Sequence, residues 1–349
     1  MDNESCFILY YIDAKCNKRI RSNDFDRMDI SWKKILKIAS LNRVLYLFSK
    51  KVLQNEKVKW NTQVYENLQR ISDEGEQWQK RLKATIVYLN TVLSEAGVAF
   101  LVIKTKSDVP HVTFDIDILV HLSDIDRTVK AFVDSGATIS GHKNIGKDTG
   151  DVCVFHPHLL KIEVHGQLTW SGLKHFDNNF VHLDPRKVAV SGIETIVPSA
   201  EAEFLLNAAH ILYKHPILTI FDFLHMSSCA NEVQNWDAVL HQAEKYGWSR
   251  SLAKFMRILG SIYMTIYGDS PDWVDTSELE HEMFSFPHFF SIWFVIKTLW
   301  ERISVKALVN KLSLYYTFTW VRYYLFGRNR LPYYSSWYPM NQLYKGFNK

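Results

Sequence analysis

The feature that most constrains the fold of this chain is a pair of acidic residues inside an apolar run. Asp115 and Asp117 alternate with isoleucines and are followed by Leu119 and Val120. This period of two predicts a β-strand over residues 114–121, with both carboxylates on one face. Neighbouring carboxylates raise one another's pKa unless a cation neutralises them or water solvates them. The pair therefore predicts either an exposed acidic edge or a divalent-metal site, and replacing Asp117 by asparagine is expected to relieve repulsion.

A third carboxylate lies on a later predicted strand. Two apolar runs, at residues 152–155 and 159–164, are separated by a His-Pro-His turn signal and predict a strand pair. In the second run the alternation puts Lys161, Glu163 and His165 on one face. If this strand lies beside the first, three carboxylates converge, and metal ions held by them can orient a nucleoside triphosphate for in-line displacement. His165 is expected either to be a hydrogen-bonded structural residue or to contact a substrate phosphate.

A candidate phosphate loop precedes the acidic pair. The apolar run at residues 98–103 predicts a buried strand, and it leads directly into Lys104, Thr105, Lys106 and Ser107. Two cations, two hydroxyls and free backbone amides can together hold phosphate groups. The alternative is a solvated turn, because lysines that flank a strand are most often exposed.

Helical periodicity surrounds the predicted strands. Apolar residues recur at helical spacing over residues 30–52 and 60–96, and a crossover helix is predicted between residue 125 and Gly136. After residue 185 the β signal fades, and helices are expected over residues 199–266. The sequence therefore predicts an α+β fold, in which a small mixed β-sheet core is flanked by N-terminal and C-terminal helical regions.

The length of 349 residues predicts two or three domains, at about 100 to 200 residues per domain. The changes of pattern divide the chain into four parts. These are an N-terminal helical region at 1–92, an α/β core at 93–185, a helical domain at 186–280 and an aromatic-rich C-terminal helical segment at 281–349.

The helical domain offers polar residues for a second substrate. His210 and Lys214 are four residues apart and share one face of a predicted helix. A metal and a triphosphate would occupy one side of a cleft, so an acceptor must be held from the other side. His210 and Lys214 are candidates for that role, and a solvated helix face is the alternative. Asp222 on the next helix is expected to pair with one of them.

Composition excludes several classes of protein. Lys plus Arg exceeds Asp plus Glu by only four, which fits a small anionic substrate and gives no strong nucleic-acid signature. The four cysteines lack metal-type spacing, and no secretory signal precedes the first helix, so a cytoplasmic location is expected. The C-terminal aromatic residues favour a packed helical cap or a membrane-surface contact. The longest uncharged run there, residues 283–296, is shorter than the roughly twenty residues of a transmembrane helix.

These residues together resemble the DNA polymerase β-like nucleotidyltransferase superfamily, and within it the uncharacterised nucleotidyltransferase family. The shared pattern is a strand entering a phosphate loop, here residues 103–108, then the strand with Asp-x-Asp at 115–120, then a strand with a third acidic residue at 162–165. The resemblance covers roughly residues 85–265. One segment departs from the pattern. The superfamily normally has Gly-Gly or Gly-Ser after the first strand, whereas this chain has Lys104-Thr105-Lys106-Ser107.

The resemblance implies a nucleotidyltransferase core and a metal-dependent reaction. A nucleoside monophosphate would move from a nucleoside triphosphate, such as ATP, to an unknown acceptor hydroxyl. Asp115, Asp117 and Glu163 would be both the catalytic residues and the ligands of Mg²⁺ or Mn²⁺. The oligomeric state is left open.

Two other functions share parts of the pattern. A non-catalytic or regulatory protein with the same fold would bind nucleotide without transferring it, and the missing glycines favour this alternative. A glycosyltransferase also uses Asp-x-Asp to hold a metal-bound nucleotide sugar. That motif would then follow about a hundred residues of alternating strands and helices, whereas here helices precede it.

Overall fold

The structure is a computed structural model, and it describes most of the first 274 residues. The described residues are 3–19, 31–55, 62–105, 109–113, 115–140, 152–169, 174–213, 217–274, 286 and 288–289. Within them the chain is an α+β protein in which helices flank a small mixed sheet of five strands, as the sequence predicts.

The N-terminal region is helical. Its helices are α1 at Asn3–Ile12, α2 at Ala14–Arg19, α3 at Trp32–Leu41, α4 at Leu45–Leu53 and α5 at Thr62–Glu95. The helix predicted over residues 30–52 is therefore two helices. The chain turns between them at Arg43, whose φ of 61° is a left-handed conformation that a helix does not contain.

The sheet follows directly after α5. Its elements are β1 at Phe100–Ile103, β2 at Asp115–Val120, α6 at Ile125–Asp134, β3 at Thr138–Ser140, β4 at Val152–Phe155 and β5 at Lys161–His165. The strand order is β1-β2-β5-β4-β3, and β2 and β5 are parallel while the other neighbours are antiparallel. The crossover through α6 thus places the acidic strands β2 and β5 side by side.

The second half adds a β-hairpin and a group of helices. The elements are α7 at Asn178–His182, β6 at Arg186–Val190, β7 at Ile193–Val197, α8 at Ala200–Tyr213, β8 at Ile217–Leu218, α9 at Ile220–Glu232, α10 at Trp236–Lys245, α11 at Ser249–Tyr267 and β9 at His288–Phe289. The expectation that β structure ends near residue 185 is wrong. Strands β6 and β7 pair through Ser191 and Gly192, whose positive φ values of 49° and 80° suit a tight two-residue turn.

The sheet has a different hydrophobic core on each face. On one face Ile116, Ile118 and Ile162 pack against the C-terminal half of α5 and against Phe132 of α6. On the other face Leu119 joins the core formed by α8, α9 and α11, as do two residues of β1, Leu101 and Ile103. Because side chains alternate along a strand, the face that carries Leu119 also carries Asp115 and Asp117.

Most of the aromatic segment at 281–349 lies outside the described residues, and so do the predicted helices there and their membrane-surface contact. Phe286 is buried in the helical core, and β9 pairs with β8. Among the residues that the structure describes, we find no helix with the length and apolar character needed to cross a bilayer.

Candidate active site

Strands β2 and β5 bring the predicted carboxylates together. The parallel pairing places Asp117 opposite Glu163 and Asp115 opposite Lys161, and His165 follows Glu163 by two residues. Paired residues of neighbouring strands lie about 5 Å apart, and residues two apart on a strand share a face. The five side chains therefore form one polar patch on the sheet.

Asp117 is the most enclosed carboxylate of the patch, with 13% of its side chain exposed. Lys104 Nζ lies 2.9 Å from Asp117 Oδ1, and His165 Nε2 donates to the same oxygen at 2.7 Å. Burial alone would raise the pKa of this carboxyl. The charge of Lys104 and the hydrogen bond from His165 outweigh burial and hold the pKa well below its usual range. Asp117 is therefore a stable carboxylate, because Lys104 and His165 outweigh both its burial and its acidic neighbours.

At Asp115 the nearby cation does not outweigh burial and the repulsion of its acidic neighbours. Burial, followed by the negative charges of Asp117 and Glu163, raises the pKa of Asp115. Lys161 Nζ lies 3.2 Å from Asp115 Oδ2 and also contacts Glu163 Oε1. Partial burial would lower the pKa of Lys161, but its hydrogen bond to Glu163 and the two negative charges hold that pKa above its usual value. Asp115 is thus a less favourable charge than Asp117.

The geometry of the patch fits a divalent ion. One ligand atom from each of Asp117, Glu163 and His165 lies within 4.8 Å of the other two. Among the described residues this group does not include Asp115, which lies on the same face and pairs with Lys161. Carboxylate oxygens suit Mg²⁺ and Mn²⁺, and an imidazole adds a nitrogen ligand that transition metals accept.

The loop after β1 adopts a glycine-like backbone without a glycine. Lys104 has a φ of 60°, a left-handed conformation that residues other than glycine adopt infrequently. The side chain of Thr105 is buried, and its hydroxyl donates to the carbonyl oxygen of Ile103 at 3.2 Å. Lys106 and Ser107 lie outside the described residues. Of the four predicted loop residues, Lys104 is therefore the one whose side chain the structure places at the carboxylates.

Of the two candidate acceptor residues, the structure describes His210. His210 is a half-buried residue near the end of α8, and Lys214 lies outside the described residues. Asp222 was expected to pair with one of them. Its carboxylate accepts from the backbone and hydroxyl of Thr219, forming the N-terminal cap of α9, and pairs with Arg43 at 3.0 Å, while a contact with Lys214 falls outside the described residues. Asp222 therefore has a structural role within the helical half.

Lys161 is a site residue that neither the acidic pattern nor the phosphate-loop pattern of the sequence singles out. Its position two residues before Glu163 already places it on the polar face of the strand. The sequence does not show that its ammonium lies between Asp115 and Glu163, because this depends on the register between β2 and β5.

A second group of possible metal ligands lies within the helical half. Ligand atoms of Glu203, His225 and Cys229 are within 4.8 Å of one another, and all three residues are buried. Arg186 donates to Glu203 Oε2 at 2.9 Å and to Glu232 Oε2 at 2.7 Å. A fixed guanidinium already neutralises this buried acid, so the group is read as a structural ion pair.

Comparison with known proteins agrees with the strand pattern. A family model described as an uncharacterised nucleotidyltransferase matches residues 28–263, which is more than half of the chain. The match includes the whole five-stranded sheet, the carboxylate patch and most of the helices that pack on the same face. No curated protein matches the chain. The match supports nucleotidyl transfer as the general activity and a nucleotide as a substrate.

Proposed function

The chain belongs to the uncharacterised nucleotidyltransferase family, and on that basis we propose that it moves a nucleoside monophosphate from a nucleoside triphosphate, such as ATP, to an acceptor hydroxyl. The reaction would need Mg²⁺ or Mn²⁺. One observation carries the proposal: Asp117 lies opposite Glu163 on adjacent parallel strands, and oxygen atoms of these two carboxylates lie within 4.8 Å of each other and of a ring nitrogen of His165.

The carboxylates have separate roles in this proposal. Asp115, Asp117 and Glu163 hold the divalent ion, which supplies charge neutralisation for the phosphates when it is bound. His165 acts through Asp117, because its hydrogen bond to Oδ1 fixes the orientation of that carboxylate. Asp115 is the carboxyl group whose pKa is raised, so a neighbouring cation should stabilise its charged form in particular.

The cations of the site suit the triphosphate. Lys104 and Lys161 lie on the face of the carboxylates, and each can donate charge-assisted hydrogen bonds to phosphate oxygens. Lys106 and Ser107 remain proposed members of the phosphate loop. Thr105 would take part through its backbone, because its hydroxyl is bonded to Ile103.

The acceptor would enter from the helical half. The core of α8, α9 and α11 shares Leu119 with the sheet face that carries the site, so these helices border the patch. We retain His210 and Lys214 as the proposed acceptor-binding residues. The proposed division of labour follows the four parts of the chain, with transfer chemistry in 93–185 and acceptor binding in 186–280. A cytoplasmic location is proposed as well, since it supplies nucleoside triphosphates and keeps cysteines reduced, and none of the four cysteines is in a disulfide.

The first test measures nucleotide binding, since the acceptor is unknown. The full chain is heated with each of the four common ribonucleoside triphosphates and Mn²⁺, and the unfolding temperature is recorded. A triphosphate at about a hundred times its dissociation constant should raise that temperature by about 5 °C. Glu163→Gln should remove the rise, while Glu194→Gln on the β6-β7 hairpin, an exposed site, should preserve it. The absence of a rise with every triphosphate would argue against the proposal.

A second candidate function is nucleotide binding without transfer. It is favoured by the two ammonium groups, Lys104 and Lys161, that already neutralise the carboxylates. A triphosphate radiolabelled at the α-phosphate separates the two functions. Label transferred to protein or small molecules of a cell extract, with release of pyrophosphate and dependence on Glu163, indicates a transferase. Binding with no transfer to any fraction of the extract indicates the binding protein.

A further inference from the structure

The carboxylate patch contains its own cations. Lys104 Nζ lies 2.9 Å from Asp117 Oδ1, and Lys161 Nζ lies 3.2 Å from Asp115 Oδ2 while also contacting Glu163. The three carboxylates of the patch are therefore each in contact with a lysine ammonium. A divalent ion would bind to these same carboxylates.

The backbone of Lys104 directs its side chain into the patch. Its left-handed φ of 60° follows directly after the last residue of β1, and β1 pairs with β2 so that Ile103 lies opposite Asp117. The side chain is only 10% exposed, which places the ammonium among the carboxylates instead of in solvent. The protein thus uses an infrequent conformation to hold a positive charge at Asp117.

Lys161 is fixed in a different way. It is part of β5, on the same face as Glu163 and opposite Asp115 in the register. Its ammonium can therefore reach both carboxylates without any unusual backbone conformation. The two lysines enter the patch from opposite neighbours of β2, one from the end of β1 and one from β5.

A divalent ion approaching the patch alone meets two obstacles. It must compete with the ammonium groups for the negative charge of the carboxylates, and any ammonium that stays nearby repels it. A triphosphate removes both obstacles, because its oxygens can accept the lysine hydrogen bonds and its negative charge balances the added cation. Lysine is suited to such an exchange, since its ammonium is a compact charge on a flexible stem.

We propose that Lys104 and Lys161 are internal counter-cations that keep the metal-free site closed to divalent ions, so that metal enters only together with a triphosphate that takes up both ammonium groups. This inference rests on the proposed function and adds a binding order to it. Because linkage is reciprocal, metal and triphosphate strengthen each other's binding by the same factor.

The test measures Mn²⁺ binding by the full-length protein, using the electron paramagnetic resonance signal of the free ion. Wild-type protein is compared with Lys104→Met/Lys161→Met, and with Lys187→Met as a control on the exposed β6-β7 hairpin. Removing both ammonium groups should tighten Mn²⁺ binding in the absence of nucleotide by about tenfold or more. The control should match the wild type. Lys104→Gly/Lys161→Met repeats the measurement with a residue that accepts the left-handed backbone freely.

Inorganic triphosphate then serves as the second ligand, with its own binding of Mn²⁺ subtracted. It should tighten Mn²⁺ binding to the wild type by about tenfold or more and to the double variants far less. Equal Mn²⁺ affinity in wild type and both double variants overturns the counter-cation inference and leaves the metal-dependent transferase standing. No Mn²⁺ binding to any protein, with or without triphosphate, overturns the transferase proposal and the inference together.

Discussion

Two groups of acidic and nitrogen-bearing side chains in this protein satisfy the same distance criterion and differ in their surroundings. Asp117, Glu163 and His165 lie on the sheet and are partly exposed, whereas the group formed by Glu203 with a histidine and a cysteine of α9 is buried between helices. Ligand atoms lie within 4.8 Å of one another in both groups. Proximity of possible ligands therefore does not by itself distinguish a functional site from a structural one.

The two groups differ in the kind of cation that neutralises their carboxylates. The buried acid Glu203 is paired with Arg186, whose planar guanidinium holds Glu232 as well. The carboxylates of the sheet are paired with Lys104 and Lys161. A guanidinium with several fixed hydrogen bonds is difficult to exchange, while an ammonium on a flexible stem can move to another anion. The first arrangement stabilises the fold, and the second can accept ligands.

The largest expected effect tests the buried group. Arg186→Met leaves Glu203, which is 3% exposed, without its cation. Breaking a buried pair in this way should lower the free energy of unfolding by about 3 to 5 kcal/mol. Urea denaturation of the variant measures the loss.

The adjacent residue supplies the matched control. Lys187 pairs with Glu194 at 3.4 Å, but its side chain is 72% exposed. Lys187→Met should therefore change the free energy of unfolding by less than about 1 kcal/mol. Equal losses for Arg186→Met and Lys187→Met would show that Glu203 does not depend on its guanidinium.

The free energy of unfolding should also depend on pH, through a histidine that is buried near His225. His111 packs against Phe221, which stacks on His225. Burial, followed by the positive charges of Arg43 and His225, lowers the pKa of His111 to about 3. The unfolded chain binds this proton near pH 6.5, so the folded protein loses stability as the pH falls from that value toward 3.

The variant His111→Asn should reduce this pH dependence. Between pH 6 and pH 5 the slope of the unfolding free energy should decrease by about 1.4 kcal/mol per pH unit, because one fewer proton is taken up on unfolding. Urea denaturation at several pH values measures the slope. His158→Asn changes an exposed turn residue and should leave the slope unchanged. A slope that His111→Asn does not alter would show that another group takes up the proton.

A smaller effect is expected within the carboxylate patch of the sheet. Asp117→Asn removes the charge that Lys104 and His165 both contact. Because the folded protein stabilises this carboxylate, the metal-free variant should lose about 1 to 2 kcal/mol of unfolding free energy. Thermal unfolding in the presence of a chelator measures it. A more stable variant would restore the expectation of repulsion at Asp117.

The smallest effect has the opposite sign. Asp115→Asn removes the carboxylate whose pKa is raised by burial and by its two acidic neighbours. The metal-free variant should be more stable than the wild type, by about 1 kcal/mol or less because the side chain is partly exposed. Asp117→Asn replaces a carboxylate by an amide in the same way and serves as the control. If both variants are destabilised alike, the two carboxylates are not distinguished by their counter-charges.

Local sequence patterns were sufficient for the strands of the site. The alternation around Asp115 and Asp117 predicts β2, the run ending at His165 predicts β5, and the helical repeat between them predicts a crossover that allows parallel pairing. The assignment of those residues as ligands stays a prediction. What the pattern specifies is that their side chains share a face.

Other features depend on contacts between distant residues. The left-handed backbone at Lys104 and the reach of Lys161 toward Asp115 follow from register and packing, which no local pattern encodes. The β6-β7 hairpin had a local signal in Ser191 and Gly192, but Ala189 and Ile196 lie on its exposed face and the polar Thr195 is buried, so the apolar alternation was weak.

The long helix α5 has a consequence for how the protein unfolds. Its N-terminal half contributes Leu68 and Ile71 to the helical core, and its C-terminal half contributes residues such as Leu82 and Leu89 to the core beneath the sheet. A helix that loses its packing partners is only marginally stable in water. Loss of either core therefore weakens the helix that supports the other, and the two regions should melt in one cooperative transition. Part of the thermal stability of the sheet therefore comes from helices that contribute no residue to the carboxylate patch.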